Sequence, residues 1–123
     1  MAGRVLEVVL TQELEPELAA DGVGINIAHL APHGSLRDQV MGKVRRAPTD
    51  EELRKMQQLV DAAMQEGAWG MSTGLQYVPG AYANTDELVA IATVVSKHGG
   101  IYASHMRDES DELIESIEEV LEI

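Results

Sequence analysis

The 123-residue sequence contains no cysteine and no phenylalanine, one tryptophan and three tyrosines. The lack of cysteine excludes a disulfide framework and a thiolate metal site, and is compatible with a reducing cytoplasm. The lack of phenylalanine means that the core has to be aliphatic and rich in methionine, of which there are six. Basic residues are scarce: nine Lys and Arg stand against twenty-one Asp and Glu, a formal net charge of −12. That balance argues against nucleic acid and anionic membrane as partners, because binding phosphate needs clustered cations. No apolar run approaches the ~20 residues of a membrane span, and the N-terminus has neither the basic nor the apolar region of a secretory signal. These absences describe a soluble, cytoplasmic chain, long enough for one core and too short for two comfortable domains.

What is present is an alternation of strand-length and helix-length apolar segments. Gly99-Gly100-Ile101-Tyr102-Ala103-Ser104-His105 reads as a short buried strand with a histidine at its carboxyl end. Ligands and metals bind at the carboxyl ends of parallel strands. On position alone, His105 is either such a site residue or a histidine hydrogen-bonded within a strand–helix junction.

Residues 1–21 are undecided, since Val5, Leu6, Val8, Val9 and Leu10 suit a strand or the start of a helix. Gly22-Val23-Gly24 opens an alternating segment, 25–31, closed by Pro32 and Gly34. His29 and His33 are four apart, but Pro32 and Gly34 argue against the helix that would present both to a metal. Ser35 is the expected N-cap of a short helix stopped by Gly42. The basic connector Lys43-Val44-Arg45-Arg46-Ala47-Pro48 reads as a solvated loop, with an anion contact as the alternative. Thr49-Asp50-Glu51-Glu52 is a capping-box signal, after which Leu53, Met56, Val60, Ala63 and Met64 recur at helical spacing before Gly67. Ala68 to Gly74 reads as the next buried strand, followed by a loop with turn chemistry at Pro79-Gly80. Asn84 or Thr85 caps a helix with Leu88, Ile91, Ala92 and Val95 on one face, and Lys97 and His98 suit its last turn. A final amphipathic helix begins at Ser110, with Leu113, Ile114, Ile117, Val120 and Leu121 expected inward. The acidic residues around it and Arg107 read as a solvated face, with a cation or partner site as the alternative. The pattern stops on Glu122-Ile123 with no C-cap, as in a chain that has been cut. The order strand, helix, strand, loop, helix, strand, helix implies right-handed parallel βαβ units.

Three linked motifs carry a resemblance: Gly67-Ala68-Trp69-Gly70-Met71-Ser72-Thr73-Gly74-Leu75-Gln76-Tyr77-Val78-Pro79-Gly80, then Thr85-Asp86-Glu87-Leu88, then the run from Gly99 through His105-Met106-Arg107-Asp108-Glu109. Together they resemble the D-aminoacylase family, the N-acyl-D-amino-acid deacylases of the amidohydrolase superfamily. Gly24-Ile25-Asn26-Ile27 and His33-Gly34-Ser35-Leu36-Arg37 are also similar to it, so the resemblance covers residues 22–123 and leaves 1–21 unassigned. It implies an α/β fold of parallel βα units, a partial (β/α)8 or TIM barrel of amidohydrolase type. It further implies zinc as cofactor and hydrolysis of the linear amide of an N-acyl-D-amino acid. By the same resemblance His105 is a zinc ligand at the end of the fifth strand, and Gln76 and Tyr77 lie near the substrate side chain. The family's His-x-His pair, bridging cysteine, later zinc histidine and catalytic aspartate are absent, and no catalytic residue is assigned. A complete barrel needs at least ~200 residues, and a catalytic zinc takes three protein ligands plus water. The expectation is a central fragment, inactive by itself, whose exposed barrel edges pair copies into a homo-oligomer. The alternative is a non-catalytic α/β interaction module that retains the scaffold alone.

Overall fold

The computed structural model describes residues 26–123. The readings for residues 1–21 and for Gly22-Val23-Gly24 lie outside them. In chain order the elements are strand β1 (Ala31–Pro32), helices α1 (His33–Met41) and α2 (Asp50–Gln65), strand β2 (Gly70–Gly74), a 3-10 turn (Gly80–Tyr82), helix α3 (Thr85–Lys97), strand β3 (Ile101–His105) and helix α4 (Leu113–Glu122). The strands form one parallel sheet in the order β1-β2-β3, with Ala31 opposite Met71 and the pairs Gly70–Ile101 through Gly74–His105 in register. The fold is therefore α/β, with helical crossovers between parallel strands, as the alternation of patterns predicts.

Helix α2 begins where local chemistry says it should. The Glu52 amide donates to Thr49 Oγ1 at 3.3 Å and the Thr49 amide to Glu52 Oε2 at 2.8 Å, a reciprocal box that satisfies two free N–H groups. Arg46 adds two bonds to the same carboxylate, at 2.7 and 2.8 Å. Helix α1 differs from expectation. It starts at His33 with Pro32 as its N-cap residue, and Ser35 lies inside the first turn without capping it. Proline is tolerated there because the N–H it lacks would be unpaired at a helix start in any case. His29 consequently precedes the helix and His33 opens it, so their spacing does not place them on one helical face.

The core lies between the helices and one face of the sheet. Leu36, Met56, Val60, Met71 and Ile91 are fully buried there, joined by Met41, Met64 and Val95. Methionine fills the space that aromatic rings take in other domains. Two approaches are so close that only glycine fits. A Cβ on Gly70 would stand 1.9 Å from the Ile101 carbonyl oxygen of the adjacent strand, and one on Gly80 2.7 Å from the Gly74 carbonyl oxygen.

Three expectations are corrected. The first strand is shorter than its pattern: of residues 26–31, only Ala31 enters the sheet, together with Pro32, which has no N–H to extend the ladder. The strand ending in His105 is not buried, because among the described residues it is the sheet's edge; Ile101 is 56% exposed and Ala103 is also exposed. The last helix starts at Leu113, three residues after Ser110, and most of its apolar stripe does not face inward. Ile114 and Leu121 are 64% and 80% exposed, and Ser116 is the residue it buries. Leu113 and Val120 are half-buried, so the stripe is covered in part only. No helix among them is long and apolar enough to cross a membrane.

Candidate functional site at the carboxyl end of the sheet

His105 ends β3 opposite Gly74, the last residue of β2, and its carbonyl accepts the Leu75 amide at 2.9 Å. The parallel register therefore carries the chain past the histidine and into the loop after β2. That loop returns Tyr77 to it: the phenolic oxygen lies 3.4 Å from Nε2 of His105, and the rings meet edge-on with centroids 5.1 Å apart. Nδ1 of His105 faces the Met106 carbonyl at 3.3 Å, and the Glu109 carboxylate stands 3.8 Å from Nε2. Below them the Thr73 hydroxyl is bonded to Tyr102 Oη and Ser104 Oγ, both at 2.9 Å, locking β2 to β3. Of the residues singled out from sequence, His105 and Tyr77 are thus brought together. Gln76 is exposed on the same loop.

Beside Tyr77 opens a cavity of about 400 Å³ whose walls include Ser35, Asp38, Lys43, Thr73, Tyr77 and Gly80. It sits at the carboxyl ends of β1 and β2, the end of a parallel sheet at which ligands bind. His105 is not part of its wall; Tyr77, with Gly74 opposite the histidine in the sheet, links the two.

Among the described residues no three His, Cys, Asp or Glu side chains cluster as a metal site. One imidazole with a carboxylate nearby falls short of the three protein ligands of a catalytic zinc. The described residues supply at most part of such a centre.

Two polar networks escaped the sequence reading. Beneath the cavity His33, Arg37 and Glu87 are buried together: Glu87 Oε1 lies 2.8 Å from His33 Nε2 and accepts from Arg37 Nε at 3.1 Å. Arg37 also donates to the Val44 and Arg46 carbonyls at 3.1 and 2.6 Å, which fixes the basic connector. The available signal was the spacing of four between His33 and Arg37, which aligns them on one helical face. The second network centres on Arg107, whose guanidinium reaches the Glu119 carboxylate at 2.9 and 3.0 Å. Burial alone would raise the Glu119 carboxyl, but hydrogen bonds from Arg107 and Thr85 outweigh it and hold the group below its usual value. His98, expected to suit the end of α3, is its C-cap residue and also bonds Asp61 of α2 at 2.7 Å.

A solved D-aminoacylase, described as defining a novel subset of amidohydrolases, superimposes with a TM-score of 0.81 at 40% identity over 85% of this chain and 22% of its own. An N-acyl-D-glutamate deacylase from Bordetella bronchiseptica, solved with zinc and a phosphonate mimic of the tetrahedral intermediate, superimposes with a TM-score of 0.83 at 40% identity over 86% and 22%. Another solved D-aminoacylase is described as having a binuclear metal centre. In sequence, a D-aminoacylase of Alcaligenes xylosoxydans xylosoxydans is 43% identical over 106 residues, 86% of this chain and 22% of that enzyme. An N-acyl-D-aspartate deacylase of the same organism is 41% identical over 85% of this chain and 21% of its own. No family model matches. The chain is a relative of the D-aminoacylases and other N-acyl-D-amino-acid deacylases, and spans about a fifth of their length.

Proposed function

We propose that this chain is the part of a zinc-dependent N-acyl-D-amino-acid deacylase that contributes one metal ligand and one wall of the substrate pocket. On this reading β1 to β3 are consecutive strands of a (β/α)8 barrel, residues 22–123 forming its central units. His105 holds zinc, while Gln76 and Tyr77 face the substrate's side chain. A strand-end imidazole suits this role, because a zinc ion held there would polarise the amide carbonyl and lower the pKa of its water toward ~7. The observation that carries the proposal is the meeting of His105 and Tyr77 at the sheet's carboxyl end, where the register sets the histidine against the loop.

The described donor set falls short of a metal centre, so the 123-residue chain is expected to be inactive alone. The test is zinc per chain by elemental analysis, on protein purified without chelator or metal-affinity tag, beside His105→Ala. The reading predicts that any bound zinc disappears in the variant and that N-acetyl-D-methionine is not hydrolysed by the chain alone. Zinc that persists in His105→Ala would remove the ligand assignment. Hydrolysis abolished by that substitution would overturn the inactivity.

A further inference from the structure

In the loop between β2 and α3, Leu75, Pro79, Gly80 and Ala83 are buried while Gln76, Tyr77 and Val78 are exposed, so the tip that carries Tyr77 lacks the packing that holds the two ends of the loop. Its internal bonds are short-range turns: the Tyr77 amide donates to Gly74 O at 3.2 Å and the Ala81 amide to Tyr77 O at 2.8 Å. Such a segment keeps a defined position when something outside it grips its backbone. Arg107 does so twice, Nη1 donating to the Ala81 carbonyl at 3.1 Å and Nη2 to the Ala83 carbonyl at 2.9 Å. The planar fork is itself aligned by the Glu119 carboxylate, which also accepts from the Thr85 hydroxyl at 2.9 Å.

We propose that Arg107 is a positioning residue that sets Tyr77 against His105. The bonds form a closed circuit. From His105 the backbone runs through Met106 to Arg107, whose guanidinium holds the Ala81 carbonyl; the Ala81 amide holds the Tyr77 carbonyl, and the Tyr77 hydroxyl returns to His105 Nε2. Because Arg107 lies two residues beyond the histidine, the loop is referenced to the strand end that carries the site and moves with it. A fork that satisfies two carbonyls and a carboxylate at once cannot be replaced by a single ammonium.

The inference rests on reading His105 and Tyr77 as one site, and its test reads their geometry, so it can fail while the zinc experiment succeeds. In the full 123-residue chain, nuclear Overhauser contacts between the Tyr77 and His105 rings are measured by NMR, with hydrogen exchange of the Ala81 and Ala83 amides. In Arg107→Gln the ring contacts are expected to vanish and the two amides to exchange about tenfold faster, while α2 amides keep their protection. Unchanged ring contacts and exchange in that variant overturn the proposal. Should Arg107→Gln lose protection throughout, Arg107→Lys decides: the charge is kept, one carbonyl is released, and at least one of the two amides exchanges faster. No change at either amide there also overturns it.

Discussion

Glu87 neutralises a cation that has no other exit. Arg37 and Glu87 have no exposed side-chain surface, and His33 shares the same carboxylate. Glu87→Ala would leave a guanidinium buried without its anion, and breaking such a pair from one side costs about 3–5 kcal/mol. We expect a loss of that size in urea unfolding, seen as a lower midpoint with an unchanged slope. Replacing all three polar groups by leucine would not restore full stability, because the Val44 and Arg46 carbonyls would lose the donor that Arg37 provides. The sequence concealed this group for a physical reason. Glu87 is 50 residues from Arg37 and 54 from His33, and no local rule connects charges at that separation. Only half of the arrangement, the histidine and the arginine one helical turn apart, is written locally.

Helix α2 is the contrary case, legible because every signal that starts it lies within four residues. Thr49→Ala should destabilise the chain by about 1 kcal/mol in thermal or urea unfolding. The partner carboxylate adds a pH dependence. The Arg46 hydrogen bonds, followed by the Thr49 amide, hold Glu52 down at about 2 against a reference of 4.5. A depressed carboxylate contributes its full stabilisation above the unfolded value and loses it as pH falls through the folded one. Helicity followed by circular dichroism through acid unfolding should therefore fall in part between about pH 4.5 and 2 on account of Glu52. Glu52→Gln should be less stable at pH 7 and lack that portion of the acid transition. Strand β3 and helix α4 were legible as elements but not in their surroundings. The apolar spacing of Leu113, Ile114, Ile117, Val120 and Leu121 predicts a helix with one greasy face, yet says nothing of what that face meets. Here Ile114, Ile117 and Leu121 meet solvent, while Leu113 and Val120 are half-buried.

For the whole molecule, those unpartnered surfaces add up. Among the described residues β3 is an edge strand that presents free backbone donors and acceptors, and the apolar side chains of Ile101 on it and of Ile114, Ile117 and Leu121 on α4 are exposed. Unpaired strand edges and exposed apolar side chains mark interaction surfaces. We expect copies to associate through them, giving a mass above 13.3 kDa in light scattering at micromolar concentration. The double substitution Ile114→Glu and Leu121→Glu should return a monomeric mass while changing unfolding stability by no more than about 0.5 kcal/mol, since both residues are solvent-facing in a single copy. A monomeric mass for the unaltered chain would remove the homo-oligomer.

The parallel register also governs how the chain finds its shape. Residues that become neighbours across β2 and β3 are 31 positions apart, as Gly70 and Ile101, and those across β1 and β2 are 40 apart, as Ala31 and Met71. Closing the longer loop is costlier by only about 0.2 kcal/mol, because the entropy of closure grows with the logarithm of length. Neither strand pair is thus a natural starting point, and both depend on helices folding in between. The capped α2 segment and the α3 segment it packs against are the local structures able to form early. The sheet then assembles last, at the moderate speeds of mixed α/β chains rather than the microseconds of helical bundles.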